Sequence, residues 1–174
     1  QYHGFPGTMG SSFIDYIIAD HVIIPESHEP YFSEKVLRFT GTYQPTTDVS
    51  NRSEHKLITR SDEGLPSDGF VYCCFNNNYK ITPEIFDVWM NILRETPGSV
   101  LWLLEGNEDA PGNLRCEALK RGIEPERLIF AAKKSVEDHL ARHQLADLFL
   151  DTAPCNAHTT ASDALNAGLP VLTL

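Results

Sequence analysis

The chain has 174 residues, of which 41% are hydrophobic, and a formal net charge of −10 from 24 acidic and 14 basic residues. This length allows one domain, or one domain and part of another, with enough apolar residues for a packed core. The acidic balance argues against general binding to nucleic acids or anionic membranes, because such binders depend on basic patches. No run approaches the roughly 18 apolar residues of a membrane-spanning helix, so we expect a cytoplasmic protein.

The first part of the sequence resembles the tail of one domain followed by a polar linker. Strand-like runs at 13–19 and 36–39 are separated by a proline-punctuated segment. We therefore assign residues 1–45 to the C-terminal part of a first domain and residues 46–66 to a linker. Because no initiator methionine is present and a strand-like pattern runs to Leu174, we expect a segment of a longer protein.

From residue 67 onward, apolar runs alternate with helical patterns, which predicts successive βαβ units and a parallel sheet. The predicted strands are Phe70–Phe75, Val100–Leu104, Leu128–Phe130, Leu148–Asp151 and Pro170–Leu174. The predicted helices cover Thr82–Thr96, Asn113–Arg121, Ser135–Arg142 and Thr160–Ala167. The expected fold class is α/β with a Rossmann-like parallel sheet, and the region 67–174 is the N-terminal part of such a domain.

Several common enzyme motifs are missing from this sequence. It contains no G-x-G-x-x-G after the first strand, no G-x-x-x-x-G-K-[ST], no H-E-x-x-H and no G-x-S-x-G. A dinucleotide-dependent oxidoreductase and a P-loop enzyme are therefore disfavoured. The four cysteines have neither metal-ligand spacing nor a disulfide pattern, so we expect free thiols and no metal site.

The stretch from Leu148 to Leu165 is the most informative, because an apolar strand leads through a tight polar loop into a helix start. A helix N-terminus presents unpaired amides and the positive end of the helix dipole, which suits an anionic ligand. His158 precedes Thr159 and Thr160, either of which can cap the helix and offer a hydroxyl. An ordinary crossover helix with a capping box from Thr160 to Asp163 explains the pattern equally well.

Two further polar clusters follow predicted strands. Asn77 and Lys80 come directly after the first strand of the sheet, where an ammonium group could neutralise phosphate charge, although Asn-rich turns are common. His139 and Arg142 are three residues apart and share a helix face, while Val136 and Leu140 form a separate apolar stripe.

The pair His139 and Arg142 suits a nucleobase, because it combines a flat ring with a fork of donors; an exposed surface pair is the alternative. The loops that follow parallel strands meet at the same edge of the sheet. All three clusters can therefore converge on one crevice.

Six collinear segments resemble the catalytic region of O-linked N-acetylglucosamine transferases, most closely the bacterial branch with tetratricopeptide repeats. They are residues 4–10, 15–20, 75–81, 99–104, 144–147 and 155–160. The resemblance covers essentially the whole chain. It implies a GT-B enzyme, with the end of its first catalytic lobe in residues 1–45 and most of its donor-binding lobe in residues 67–174.

The resemblance also implies the reaction. N-acetylglucosamine is transferred from UDP-GlcNAc to Ser or Thr hydroxyls of proteins, with inversion and without a metal or another cofactor. The partners implied are a nucleotide sugar and a protein or peptide acceptor, with no nucleic acid and no membrane. Tetratricopeptide repeats are expected upstream in the parent protein.

The resemblance implies roles for individual residues. Lys80 matches a lysine on the donor diphosphate, His139 a histidine packed against uracil, and Arg142 its neighbour at the base. The turn 158–160 matches a pyrophosphate-binding turn, so His158, Thr159 and Thr160 are expected to bind donor. Asp163 matches an acid that reaches the ribose.

The sugar end of the donor also has expected contacts. Tyr79 is expected to flank the reaction centre, so Tyr79 and Lys80 are the predicted catalytic residues, while Gly7 and Thr8 would face the sugar from the first lobe. Asn77 stands where animal enzymes carry glutamine, and Val136 where they carry lysine, which leaves the donor open. A protein O-fucosyltransferase using GDP-fucose, or a non-catalytic nucleotide-binding module for the isolated segment, are the alternatives.

Overall fold

The computed structural model describes residues 1–2, 4, 6–44 and 58–173. The chain divides into two compact units, Gln1–Thr47 and Asp48–Leu174. The predicted domain boundary at residues 45 and 46 lies outside the described residues. Residues near the end of the predicted linker are attached to the second unit, where Arg60 donates from Nη1 to the Gly69 carbonyl at 2.9 Å and from Nη2 to Asp147 Oδ2 at 3.2 Å.

The first unit contains a small parallel sheet. Its strands are β1, Tyr16–Ala19, and β2, Lys35–Arg38, with Tyr16 opposite Lys35. The 3₁₀ helix Glu26–Tyr31 lies between them in the sequence, and Ile17, Ala19 and Ile24 form a buried apolar cluster. Both predicted strands exist, but β1 begins three residues later than the apolar pattern suggests.

Asp20 closes the turn after β1. Its Oδ1 accepts from the amides of Val22 at 2.9 Å and Ile23 at 2.8 Å, and its Oδ2 accepts from the amide of Tyr43 at 2.8 Å. Burial opposes ionisation, but the three amide hydrogen bonds outweigh it and hold the pKa of Asp20 below its usual value.

The second unit is a five-stranded, wholly parallel sheet with α-helical crossovers. Its strands are β3 (Val71–Cys74), β4 (Val100–Leu104), β5 (Leu128–Ala131), β6 (Leu148–Leu150) and β7 (Val171–Leu172), in the order β5-β4-β3-β6-β7. The helices are α1 (Pro83–Glu95), α2 (Asp109–Lys120), α3 (Val136–Arg142) and α4 (Thr159–Asn166). The predicted α/β fold with a Rossmann-like parallel sheet is confirmed, although Leu174 lies outside the described residues.

Local signals explain where the helices begin. The Thr82 side chain accepts from the Ile85 amide at 3.4 Å with Pro83 in the first turn, and the Ser135 hydroxyl accepts from the Asp138 amide at 3.2 Å. The helix α2 begins four residues before the predicted start at 113. The Asn107 side chain accepts from the first amides there and so substitutes for a cap.

The core of the second unit surrounds the central strand β3 and its neighbour β4. Residues of β3 and β4 are buried on both faces, as expected for a parallel sheet covered by helices. The apolar face of α1 packs on the sheet through Ile85, Phe86, Trp89, Met90 and Leu93. The four cysteines are free thiols, and none of the helices in the described ranges has the length and apolar content needed to cross a membrane.

Candidate functional site

The strands β3 and β6 are neighbours in the sheet, although two other strands separate them in the sequence. The chain moves from β3 toward one sheet edge through β4 and β5, then returns to β6 and moves toward the other edge through β7. This reversal is a topological switch point, and open α/β sheets bind ligands there, outside the carboxyl ends of the strands. Two predicted polar clusters, at 77–80 and 158–160, follow these two strands.

Asp151, directly after β6, organises the loop that leads to α4. The residue is buried, and its carboxylate accepts five hydrogen bonds, three at Oδ1 and two at Oδ2. The donors are the Asn76 amide group at 3.1 Å, the Thr152 and Ala157 backbone amides at 2.7 Å, the Asn156 amide group at 3.2 Å and the Thr173 hydroxyl at 2.7 Å. A single carboxylate therefore fixes the whole turn.

Asn76 connects this turn to the end of β3. Its Nδ2 also donates to Thr152 Oγ1 at 2.8 Å, and its Oδ1 accepts from the Thr160 hydroxyl. The first turn of α4 is thereby attached to the neighbouring strand exit. Because Asn76 is buried, water does not compete for these bonds.

Lys80 approaches the same turn from the other side. It lies at the end of the 3₁₀ turn Asn78–Lys80, is half-buried, and donates from Nζ to the Asn156 carbonyl at 2.9 Å. An ammonium group has three donors, so this bond leaves two for a ligand. The structure thus brings together two of the clusters that the sequence singles out.

The helix α4 starts one residue earlier than predicted, and its start corrects the capping prediction. His158 is the N-cap, without a side-chain capping bond, and Thr159 is the first helical residue. Neither threonine is the N-cap, and the box from Thr160 to Asp163 is wrong, because the Thr160 hydroxyl donates to Asn76 across the sheet instead. The first amides of α4, which follow this loop, remain outside the helical ladder.

The other residues of this region that are predicted to bind the nucleotide-sugar donor differ in exposure. Asn77 and His158 are exposed, Tyr79 has 78% of its surface exposed, and Asp163 is half-buried. These positions keep Tyr79 available at the surface of the strand exit. The contacts predicted for these residues with a donor stay predictions.

His139 and Arg142 share one face of α3, as predicted, and contact each other. Arg142 donates to His139 Nδ1 from Nε at 3.1 Å and from Nη2 at 2.6 Å. The alternative of an exposed surface pair is wrong, because Arg142 is completely buried and His139 is half-buried. The predicted apolar stripe is also wrong at Val136, of which 65% is exposed.

The guanidinium of Arg142 lies in an aromatic environment. It stacks over Phe75 at 5.1 Å and over Trp102 at 5.8 Å, and it donates to the Ala132 carbonyl at 2.7 Å. A fully buried group with these partners holds neighbouring groups in place. Its predicted place beside the base stays a prediction.

Two histidines of this region are held neutral by burial. Desolvation, with the nearby charge of Arg142 and the His143 ring, lowers the pKa of His139 to about 4. Desolvation also lowers the pKa of His143, which is completely buried. The ring of His139 lies 5.2 Å from that of Phe75, the residue that follows β3, so this cluster also adjoins the β3 exit.

In the first unit, the predicted sugar-facing turn is fixed by Glu34. The Thr8 hydroxyl donates to Glu34 Oε2 at 2.7 Å, and the Met9 amide donates to Oε1 at 2.7 Å. The amide of Gly10 in turn donates to Thr8 Oγ1 at 3.1 Å. Gly7 is half-buried, and the roles predicted for Gly7 and Thr8 stay predictions.

Several residues that build these sites are not among the predicted site residues. Asp151 and Asn76 organise the switch point, Glu34 fixes the first-unit turn, and Glu63 pairs with Lys134 and Arg142. An acid directly after an apolar strand is a signal that could have drawn attention to Asp151. Glu63 lies in a polar stretch without any such signal.

The strand order and the polar loops at the switch point are those of Rossmann-like domains of the α/β class. Comparison with known proteins identifies the family. Residues 40–174 match the model of glycosyl transferase family 41. The chain belongs to this family.

Two curated relatives agree with this assignment. The chain is 40% identical over 180 residues to the probable UDP-N-acetylglucosamine–peptide N-acetylglucosaminyltransferase SEC of Arabidopsis thaliana, covering 100% of the chain and 18% of the relative. It is 42% identical over 118 residues to the UDP-N-acetylglucosamine–peptide N-acetylglucosaminyltransferase of Caenorhabditis elegans, covering 68% of the chain and 10% of the relative. The chain thus spans less than a fifth of the length of these two relatives.

Solved structures give the same fold. An O-GlcNAc transferase mutant of Thermobaculum terrenum superposes with a TM-score of 0.82 at 27% identity, covering 99% of the chain and 32% of that structure. The glycosyltransferase WaaG, involved in lipopolysaccharide biosynthesis, superposes with a TM-score of 0.59 at 17% identity, covering 97% of the chain and 46% of that structure. The prediction of part of a GT-B glycosyltransferase fold is confirmed.

Proposed function

We propose that this chain is part of a protein O-GlcNAc transferase and that its second unit binds the donor UDP-GlcNAc. The observation that carries the proposal is the meeting of Lys80 with the turn before α4, beside two adjacent strand exits. Membership of glycosyl transferase family 41 and the activities named for its relatives support the same reaction. The acceptor is a Ser or Thr hydroxyl of a protein, as for a peptide N-acetylglucosaminyltransferase.

The chemistry follows from charge. When the sugar leaves UDP, negative charge builds on the β-phosphate, and the enzyme accelerates the reaction by stabilising that charge. The Lys80 ammonium and the first amides of α4 supply positive potential, so a metal ion or other cofactor is not needed for this step. The Thr160 hydroxyl proton is committed to Asn76, so Thr160 contributes its backbone amide, whereas Thr159 is exposed and can offer its hydroxyl.

The other predicted residues complete the proposed site. Asp163 and His139 bind the nucleoside, Asn77 and His158 line the diphosphate, and Tyr79 flanks the reaction centre. In the first unit, the Glu34 carboxylate fixes Thr8, and with Gly7 this turn is proposed to face the sugar. The transfer is inverting, and a cytoplasmic location and upstream tetratricopeptide repeats remain part of the proposal.

The sharpest test removes the ammonium group. In the full-length protein, Lys80→Ala is expected to lower kcat for transfer from UDP-GlcNAc on the order of 100-fold, because one preorganised donor contributes about 3 kcal/mol at the barrier. The matched control is Lys120→Ala, since Lys120 is an exposed lysine on α2 paired with Glu117. Equal activity of the two variants would disprove the role of Lys80.

Competition by nucleotides tests the donor. UDP is expected to inhibit transfer and to raise the melting temperature, whereas GDP at the same concentration is expected to do neither. Protection by GDP alone would contradict the proposed donor.

A further inference from the structure

A cavity of about 320 Å³ lies between the 3₁₀ turn Asn78–Lys80 and the first turns of α2. Asn78 and Ile81 line one wall, and residues of the segment 107–114 line the other. The volume holds about ten water molecules and falls at the lower end of the range of about 300 to 1,000 Å³ for ligand pockets. The cavity therefore fits a single long side chain rather than a whole nucleotide sugar.

This cavity and the proposed diphosphate site share one turn. Because β3 lies between β4 and β6, the loops after these two strands approach the turn Asn78–Lys80 from opposite sides. Asn78 Nδ2 donates to the Leu104 carbonyl at 3.2 Å, whereas Lys80 Nζ donates to the Asn156 carbonyl at 2.9 Å. The Cα atoms of Asn78 and Lys80 are at most about 8 Å apart, and an extended peptide covers about 3.4 Å per residue. Two to four peptide residues, on the order of 7 to 14 Å, therefore span the distance from Lys80 to the cavity.

Asp109 gives the cavity a negative charge. Among the described residues that line the cavity it is the ionisable one, and it is exposed at the first position of α2. The Asn107 side chain accepts from the backbone amides of Asp109 at 3.1 Å and of Ala110 at 2.9 Å, which fixes this start of the helix. Within the described ranges, no basic side chain forms an ion pair with Asp109. Its carboxylate is thus available to a cation from another molecule.

The same lining disfavours two other classes of ligand. An anion would meet a carboxylate and no cation of the lining, since the Lys80 ammonium reaches Asn156 on the other side of the turn. A divalent metal ion takes several oxygen ligands. The part of the chain that the structure describes contains no group of three His, Cys, Asp or Glu side chains that could hold a metal ion. The lining is therefore best matched by an organic cation.

The apolar part of the lining favours a cation on a long aliphatic stem. Ile81, Ala110 and Leu114 are half-buried and line the cavity together with Asp109. Lysine and arginine side chains pack their stems on apolar surface while the terminal charge stays near water. An apolar wall beside one exposed carboxylate matches this combination.

We propose that this cavity is a subsite for the acceptor peptide, which takes a lysine or arginine side chain two to four residues from the modified Ser or Thr. The stem of that side chain packs on Ile81 and Leu114, and its cation pairs with Asp109. This inference rests on the proposed function, in which the turn with Tyr79 and Lys80 flanks the reaction centre. It adds Asp109 as a residue that determines acceptor specificity.

The first experiment uses the full-length protein and pairs of serine peptides. The two peptides of a pair differ at one position, which carries either lysine or norleucine, so that the stem is kept and the charge is removed. The position is moved from two to four residues on either side of the serine. At one of these positions, kcat/KM for transfer from UDP-GlcNAc is expected to be about fivefold higher for the lysine peptide, the effect of an exposed ion pair.

Variants of Asp109 then assign this preference. Asp109→Asn keeps the shape of the side chain and is expected to abolish the advantage of the lysine peptide through KM, with kcat and transfer to the norleucine peptide unchanged. Asp109→Lys is expected to reverse the preference toward a peptide with glutamate at the same position. The matched control is Glu117→Gln, because Glu117 is another acid of α2, pairs with Lys120 and Arg121, and does not line the cavity.

Thermal unfolding and UDP affinity separate this role from a structural one. An acid in the first turn also stabilises a helix, so a purely structural Asp109 would lower the melting temperature and affect both peptides equally. That result, or no preference for lysine at any position, would overturn the inference. If the unmodified protein transfers sugar to no peptide, the proposed function fails. The binding of the same peptides to the unmodified protein and to Asp109→Asn, measured by fluorescence anisotropy, still decides whether the cavity selects a basic side chain.

Discussion

Glu34 in the first unit and Asp151 in the second each fix a turn, but the apolar cores of the two units differ in size. Each carboxylate accepts hydrogen bonds from backbone amide and threonine hydroxyl groups and thereby fixes a turn. Glu34 belongs to a unit whose buried apolar cluster consists of Ile17, Ala19 and Ile24. Asp151 follows a strand at the centre of a much larger core that spans all five strands of the sheet.

The difference shows why two similar hydrogen-bond networks contribute unequally to the free energy of unfolding. In the second unit, the buried Asn76 side chain, the half-buried Ala157 amide and the Thr173 hydroxyl all donate to the buried Asp151 carboxylate, so its removal takes an acceptor from polar groups of three chain segments at once. In the first unit, the Thr8 turn is exposed, and water can replace Glu34. We therefore expect Asp151 to affect global unfolding and Glu34 to affect only its own turn.

The largest expected effect is that of Asp151→Ala. Removing a buried carboxylate that accepts five hydrogen bonds is expected to lower the free energy of unfolding of the second unit by about 4 kcal/mol. Both tryptophans of the chain, Trp89 and Trp102, are buried in this unit, so fluorescence during urea denaturation reports on it alone.

The control for this measurement is Asp87→Ala. Asp87 is an exposed acid that pairs with Arg121, and such surface pairs contribute about 1 kcal/mol or less. If Asp151→Ala destabilised the second unit no more than Asp87→Ala, the contrast between the two carboxylates would be lost.

The loop after β4, which packs closely on the Asn78 side chain, sharpens the comparison. A methyl group added at Gly106, after β4, would collide with the side chain of Asn78, whose Nδ2 donates to the Leu104 carbonyl at 3.2 Å. Gly106→Ala is expected to cost about 1 to 2 kcal/mol through overpacking and to weaken UDP binding, because Asn78 begins the turn that carries Lys80.

Gly112 provides the matched control for this change. It lies inside α2, and an added methyl group meets nothing within 4 Å. Gly112→Ala is expected to be neutral or to stabilise the helix by up to about 1 kcal/mol. Unchanged UDP affinity and stability in Gly106→Ala would show that Asn78 moves freely.

The smallest expected effect on global stability is that of Glu34→Gln. The Thr8 hydroxyl, helped by the Met9 amide and opposed by burial, lowers the pKa of Glu34 from 4.5 to about 2. A lowered pKa in the folded state stabilises the turn fully above pH 4.5, and this contribution is lost as the pH falls from 4.5 through about 2. Hydrogen exchange of the Met9 amide, corrected for its intrinsic pH dependence, should therefore accelerate over this range.

The variant separates this turn from the rest of the chain. Glu34→Gln should exchange the Met9 amide faster at neutral pH and should lack the acid transition, while tryptophan fluorescence stays unchanged. An acid transition of equal size in Glu34→Gln would assign it to another group.

Much of the fold could be predicted from local signals. Thr82 with Pro83 and Ser135 predict the starts of α1 and α3, and the strand β4 has the predicted bounds. These predictions succeed because caps and apolar periodicity act within a few residues. The start of α4 differs, because the Thr160 hydroxyl bonds to Asn76, 84 positions away, rather than capping its own helix.

The candidate site shows the same contrast between features with a local signal and contacts between distant segments. The sequence indicated Lys80, His139 and the turn 158–160, because unusual polar residues follow strands whose ends meet in a parallel sheet. It gave no indication that Arg142 is wholly buried or that Glu63 is its partner, since such contacts join segments far apart in the chain.

By itself, the sequence determined the elements, their βαβ order and the edge of the sheet at which ligand chemistry is concentrated. Only the tertiary structure decided which side chains hold that edge. Asp151 and Asn76 meet across 75 positions, and Glu63 and Lys134 across 71. Helix and strand formation depend on neighbours in sequence, whereas the satisfaction of a buried charge or amide depends on whichever groups packing places beside it.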